Sequence, residues 1–434
     1  MASEPISTKR TAWFDADRLR RLAHLFVVLV AVFLPWSTSA TSMLIVLWLC
    51  TLLPTLRFPD VRREILTAAG GLPVLLSMLG ILGTLWADVS VSERLHGLDP
   101  FVRLLAIPLL LVQFRQTERN CNVLAGYVIS CTVLLAVSFL CMAWRYAPLP
   151  PSLPRPAFLF PPYVLGVPVK DYIAQSGEFV TCIFTLLMLA TRWAERKQYA
   201  LMALASVLVL GFLTNIVFII TAKTSIVVLV ALLILFGLKN FSAKGAALVF
   251  VCGTILAGAA WISSPYLRGR VDAVLPEIQN YMATDAPSST GERLEWLKKT
   301  YMFLREAPVL GHGTGTIQSL FRKAAVGHQL GTAAEEATTN PHNQTAAVAI
   351  QLGLLGVAAL WAMWAAHIWI FRGSGIAAWV GLIVVVQNVI GSAFNSHLFD
   401  FTQGWHYVFG VGVAGGVVRR FNQDRKPICM HSIG

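Results

Sequence analysis

Apolar stretches of about 20 residues, the length a helix needs to cross the hydrocarbon core of a bilayer, recur along most of this 434-residue chain. Lipid offers no hydrogen bonds, so each such stretch must satisfy its own backbone, and a helix does so within the segment. The expected fold is therefore all-α, a polytopic bundle of about 12 transmembrane helices. They fall near residues 22–36, 40–56, 66–86, 99–114, 122–144, 177–194, 199–220, 224–238, 246–263, 343–370, 376–396 and 404–418. The run from Tyr199 to Leu238 is too long for one span, so Thr221-Ala222-Lys223-Thr224-Ser225 is expected to break it. Composition agrees: 13% of residues are charged, against roughly 25% in soluble domains.

The net charge of +12 reads as orientation, because Lys and Arg concentrate in short cytoplasmic loops; no nucleic-acid partner is implied. Arg57, Arg62 and Arg63, then Arg115 and Arg119, then Arg192, Arg196 and Lys197, then Lys239 and Lys244, then Arg372, and finally Arg419, Arg420, Arg425 and Lys426 follow alternate spans. All fall on one side with the basic N-terminus, which makes that side the cytoplasm and puts both termini there. Lys9, Arg10, Arg18, Arg20 and Arg21 before an apolar run imitate a signal peptide, but the next run starts at once, and cleavage is not expected. The outer side receives a proline-rich loop (145–176), extended and stiff, and a long loop (264–342). Three regions result: residues 1–263 with spans one to nine, the outer loop 264–342, and residues 343–434 with spans ten to twelve and a cytoplasmic tail. The seven cysteines show no disulfide framework or zinc spacing.

The long loop has structure of its own. Ser289-Thr290-Gly291-Glu292 has capping-box spacing, and a helix from about Glu292 to Glu306 follows, with Leu294, Leu297, Tyr301 and Leu304 as its apolar stripe. Gly311-His312-Gly313-Thr314-Gly315 reads as a flexible turn, and a second helix runs from Thr316 to Val326. The loop ends in Asn340-Pro341-His342-Asn343. Asn340 as N-cap and Pro341 as first helical residue would place His342 and Asn343 in the first turn of span ten. The helix dipole there favours neutral imidazole and attracts phosphate. Arg293 is expected in the first turn of the loop helix, where a cation is unfavourable unless an anion is shared with it. Lys223 sits between two apolar runs, and Arg268 and Arg270 face outward against the charge rule. A phosphate on a lipid carrier would give all these cations a partner. The blander reading is a boundary histidine, a solvated arginine and a snorkelling lysine. Asp88, Glu93, Asp99, Asp171, Glu178 and Asp400 show no metal or glycosidase spacing.

His342-Asn343, nine residues, Gly353, two residues, Gly356 resembles the signature of the O-antigen ligase family. The family also carries an arginine about fifty residues before that histidine, which Arg293 matches, and often an arginine in an earlier turn, where this chain has Lys223. The resemblance implies a membrane glycosyltransferase in lipopolysaccharide biosynthesis, with its active site on the periplasmic face of the bacterial inner membrane. It would move O-antigen from undecaprenyl pyrophosphate to a hydroxyl of the lipid A core, without cofactor or metal. His342 and Arg293 would be catalytic; Lys223, Arg270, Arg268 and Asn343 would bind substrate. An O-antigen polymerase, a protein O-oligosaccharyltransferase and a lipid-linked sugar flippase remain alternatives.

Overall fold

The apolar runs fold as helices throughout. The computed structural model describes residues 15–117, 121–146, 166–220 and 222–424. The first helices are α1 (Ala16–Phe33), α2 (Thr38–Leu52), α3 (Phe58–Ile65), α4 (Ala68–Gly83), α5 (Val91–Arg103), α6 (Ala106–Gln116) and α7 (Cys121–Tyr146). Next come α8 (Tyr172–Glu195), α9 (Tyr199–Thr214), α10 (Lys223–Asn240) and α11 (Ala243–Ser263). The long loop contains α12 (Pro265–Asp272), α13 (Val274–Thr284), α14 (Ser289–Glu306) and α15 (Ile317–Ala325). The chain then returns to the bundle as α16 (Gln344–Ile370), α17 (Ile376–Gly391) and α18 (Phe401–Asp424). Among the described residues there is no strand. The expected proline-rich extended segment at 147–165, the turn residue Thr221, and Lys9, Arg10, Arg119, Arg425 and Lys426 lie outside the described residues.

Among the described residues eight spans are long and apolar enough to cross a membrane, and the pair α3–α4, bent by 86°, makes a ninth if it counts as one. The expected count of twelve also needs α1, α17 and α18. α17 is apolar but only 16 residues long. α1 carries Asp17, Arg18, Arg20 and Arg21, and α18 ends in Arg419, Arg420 and Asp424. The long run does break where expected: α9 ends in a π-helical turn over Asn215–Ile219, and α10 opens at Lys223.

Contacts sort the connections onto two ends. At one end Arg115 donates to Glu64 at 3.1 Å and Asp60 at 3.2 Å, Arg419 pairs with the same Glu64, and Lys239 donates to the Phe371 carbonyl at 3.0 Å. These bonds draw the 57–67, 115–117, 239–244 and 371–375 connections together. At the other end the loop packs a second small core of Trp296, Phe303, Ile317, Phe321, Ala347 and Ile350 between α14, α15 and the start of α16.

α16 is not continuous. Gly353 has φ 60 and ψ −159, a region open in practice to glycine alone. The segment Pro308–Gly313 enters the break and takes over its hydrogen bonds. Leu354 N–H donates to the Pro308 carbonyl at 2.9 Å, while His312 and Gly313 N–H donate to Ile350 and Gln351, each at 2.9 Å. The glycine turn expected to be flexible is thus a docked wedge. Thr314 binds the end of α4 through the Gly80 and Gly83 carbonyls, and Gly315 N–H reaches Gln351 Oε1 at 2.8 Å. Irregular backbone at such depth is tolerated where protein surrounds it.

Two local expectations for the loop change. The N-cap of α14 is Ser288, whose hydroxyl accepts from Gly291 N–H at 3.0 Å, rather than a box between Ser289 and Glu292. Leu297 and Tyr301 are exposed, and the buried face is Trp296, Lys299, Thr300 and Phe303. α15 forms over Ile317–Ala325 as expected.

Candidate functional site

The site is assembled where the loop meets α16. Asn343, not Asn340, is the N-cap of α16: its Oδ1 accepts from Ala346 N–H at 3.0 Å, and its Nδ2 donates to the Ala393 carbonyl at 3.3 Å. His342 therefore sits just before the helix rather than in its first turn, and the Asn343 amide is engaged in capping. His342 takes φ 50, a left-handed conformation that costs a non-glycine residue about 1 kcal/mol or more. Asn340 holds it there: its Oδ1 accepts from His342 N–H at 2.9 Å and from Ser396 Oγ at 2.7 Å.

The imidazole is fixed on two sides. Its ring stacks on Trp296, centroids 5.0 Å apart and planes 21° apart. Its Nδ1 lies 3.0 Å from Asn395 Oδ1. The same oxygen accepts from the Ser396 backbone N–H at 2.9 Å and from Asn340 Nδ2 at 3.0 Å. A backbone N–H can only donate, so the atom it meets is the amide oxygen, and an amide oxygen only accepts. His342 Nδ1 must then carry the proton. In the neutral ring the lone pair is on Nε2, for which the described residues provide no hydrogen bond.

Arg293 lies one turn before Trp296 on α14. Residues three to four apart share a helix face, so both are on the face turned toward His342. Since α14 starts at Ser289, Arg293 falls just past the first turn, not within it. Its guanidinium makes no ion pair among the described residues. Burial first, and the Arg293 charge second, hold the His342 imidazole below the ordinary histidine range, while the Asn395 hydrogen bond opposes them. The expected neutral imidazole thus has desolvation and a neighbouring cation as its causes, in place of a helix dipole.

The other cations are dispersed. Lys223 opens α10 half-buried. Two residues on, Ser225 Oγ donates to Ser176 Oγ at 2.7 Å, and Gln387 Nε2 donates to the Gly177 carbonyl at 2.8 Å. These bonds put the starts of α10 and α8 and the end of α17 at the end of the bundle that carries Asn395 and His342. Arg268 turns back to the Ile262 carbonyl at 3.2 Å and is not brought to His342. The side chain of Arg270 lies outside the described residues.

Sequence reasoning missed Trp296 and Asn395. Trp296 lies off the apolar stripe that spacing marks on α14. Asn395 was absorbed into the end of span eleven. Its signal was the run Asn395-Ser396-His397, too polar to end an ordinary span.

A family model described as O-antigen ligase matches residues 208–361. The match contains Lys223, Arg293, His342, Gly353 and Gly356, and leaves Asn395 outside. No curated protein matches the chain.

Proposed function

The chain belongs to the O-antigen ligase family, and on that footing we propose that it is the ligase itself. It transfers O-antigen from undecaprenyl pyrophosphate to a sugar hydroxyl of the lipid A core, at the periplasmic face of the inner membrane. The observation that carries the reading is the His342 ring. Burial and then the Arg293 charge favour its neutral form, Asn395 locks its proton on Nδ1, and its Nε2 lone pair is left for a substrate hydroxyl.

In this mechanism the acceptor oxygen attacks the anomeric carbon of the donor sugar as its proton passes to His342 Nε2. The bond from that carbon to the phosphate oxygen breaks, and undecaprenyl pyrophosphate leaves with the electron pair. Direct displacement inverts the anomeric centre. Arg293 and Lys223 stabilise the charge that grows on the pyrophosphate, with no metal needed. The Trp296 face supports the imidazolium as it forms.

Reconstitution in lipid vesicles with a defined undecaprenyl-pyrophosphate glycan and a lipid A core acceptor tests this reading. The expected product is glycan on lipid A core. Glycan lengthened on undecaprenyl pyrophosphate would make the protein a polymerase. Movement of donor across the bilayer that survives His342→Ala, with no transfer product, would make it a flippase.

A further inference from the structure

A cavity of about 1560 Å³ lies among α1, α7, α8, α17 and α18, apart from His342. It exceeds the roughly 300–1,000 Å³ of ordinary small-molecule pockets. Leu186, Val384, Val413 and Val417 make its wall, and Tyr127, Thr181 and His406 give it a polar inner end. Its opposite end reaches Arg372 and Asn422. From His406 to Asn422 the wall formed by α18 rises roughly 24 Å at 1.5 Å per residue. One leaflet of the hydrocarbon core is about 15 Å thick, so the shaft takes a whole acyl chain.

The space is open to its surroundings along part of its length, past exposed residues such as Ile129 and Phe421. Aliphatic walls do not hold water. Hydrocarbon from the bilayer is the filling that the walls accept.

The mouth adds the charge. Arg372 is exposed, and its guanidinium lies over the Trp369 ring, 3.7 Å from the centroid. It has no carboxylate partner among the described residues, whereas Arg115 and Arg419 nearby are both paired with Glu64. A guanidinium pinned on an indole presents a fixed fork to a phosphodiester. We propose that this cavity holds one anionic phospholipid, with an acyl chain in the shaft and its phosphodiester on Arg372. A polyprenyl donor engaged at His342 cannot put its own phosphates there. Arg372 lies beyond the far end of α16, which from its break at Gly353 to Ile370 alone rises roughly 26 Å at 1.5 Å per residue.

The test is native mass spectrometry of the full chain taken from vesicles of equal phosphatidylglycerol and phosphatidylcholine doped with undecaprenyl phosphate. The expected result is one phosphatidylglycerol retained per protein. Arg372→Gln should lower that retention tenfold or more, and Val413→Trp should abolish it by filling the shaft. If Val413→Trp does not fold, Ala414→Leu is the milder filling and should reduce retention at an unchanged melting temperature. No retained lipid, preferential retention of undecaprenyl phosphate, or unchanged retention in Arg372→Gln would each overturn the proposal.

Discussion

His342 is held in a left-handed conformation by one asparagine and in one tautomer by another. Neither bond is needed to fold α16, which Asn343 caps by itself. Local strain maintained by surrounding hydrogen bonds belongs at a working residue. Asn395→Leu should lower turnover about tenfold, the scale of one hydrogen bond of roughly 1.4 kcal/mol, with little change in KM. Asn395→Asp should do something a structural role would not. A carboxylate facing Nδ1 favours the imidazolium, so the pH at which activity falls on acidification should move upward. An acid limb that stays put in Asn395→Asp, measured as kcat against pH, would remove Asn395 from the positioning role. Arg293→Ala should abolish or severely reduce transfer while the protein stays folded. Lys223→Arg should retain far more activity than Lys223→Ala, because charge is what Lys223 supplies. Near-normal rates for both alanine variants in the vesicle assay would return both residues to the solvated or snorkelling reading.

At the scale of elements, the wedge of Pro308–Gly313 in the break of α16 fixes the loop to the bundle. A Cβ at Gly353 would run into the Val309 carbonyl group. Gly353→Ala should therefore cost more than the roughly 1–3 kcal/mol of backbone strain alone, release the wedge, and expose 308–330 to protease. Proteolysis no faster than wild type would show that the docking survives. The sequence marked Gly353 as part of a motif but not as a break, because glycine is common within membrane helices. It placed α14 and α15 within a few residues, and chose an apolar stripe on α14 of which Leu294 and Leu304 are half-buried and Leu297 and Tyr301 exposed. That choice assumed water outside and oil inside. Leu297 and Tyr301 are exposed beside a membrane-spanning bundle, where an apolar stripe no longer identifies the packed side. At the opposite end Glu64 is fully buried and shared by Arg115 and Arg419. Glu64→Ala should cost about 3–5 kcal/mol by removing the buried carboxylate from Arg419 and leaving Arg115 with Asp60 alone, visible as a lower melting temperature.

For the whole molecule, the helical class and the grouping of basic connections at one end were legible from apolar length and charge alone. The candidate site was legible only as residues in sequence. His342 precedes α16 instead of opening it, and Arg293 falls past the first turn of α14. Their partners come from α14 and the α17–α18 connection, and no local pattern announces a contact between distant segments. The proposed orientation, which rests on charge alternation, puts His342 on the periplasmic side. With Cys50 and Cys252 replaced, Gln329→Cys should react with an impermeant thiol reagent in intact cells and Ser374→Cys should not; the reverse pattern would invert the map.

The role of His342 as the base is tested most directly by kcat for His342→Gln across pH in the vesicle assay. Glutamine can hold the acceptor hydroxyl but cannot take its proton. Turnover should fall about 10²–10⁴-fold, the usual worth of general-base help. The acid limb of the wild type, displaced below the ordinary histidine range by burial and Arg293, should vanish from the residual rate. His342→Gln turning over like wild type, with the acid limb intact, would contradict proton transfer to this ring.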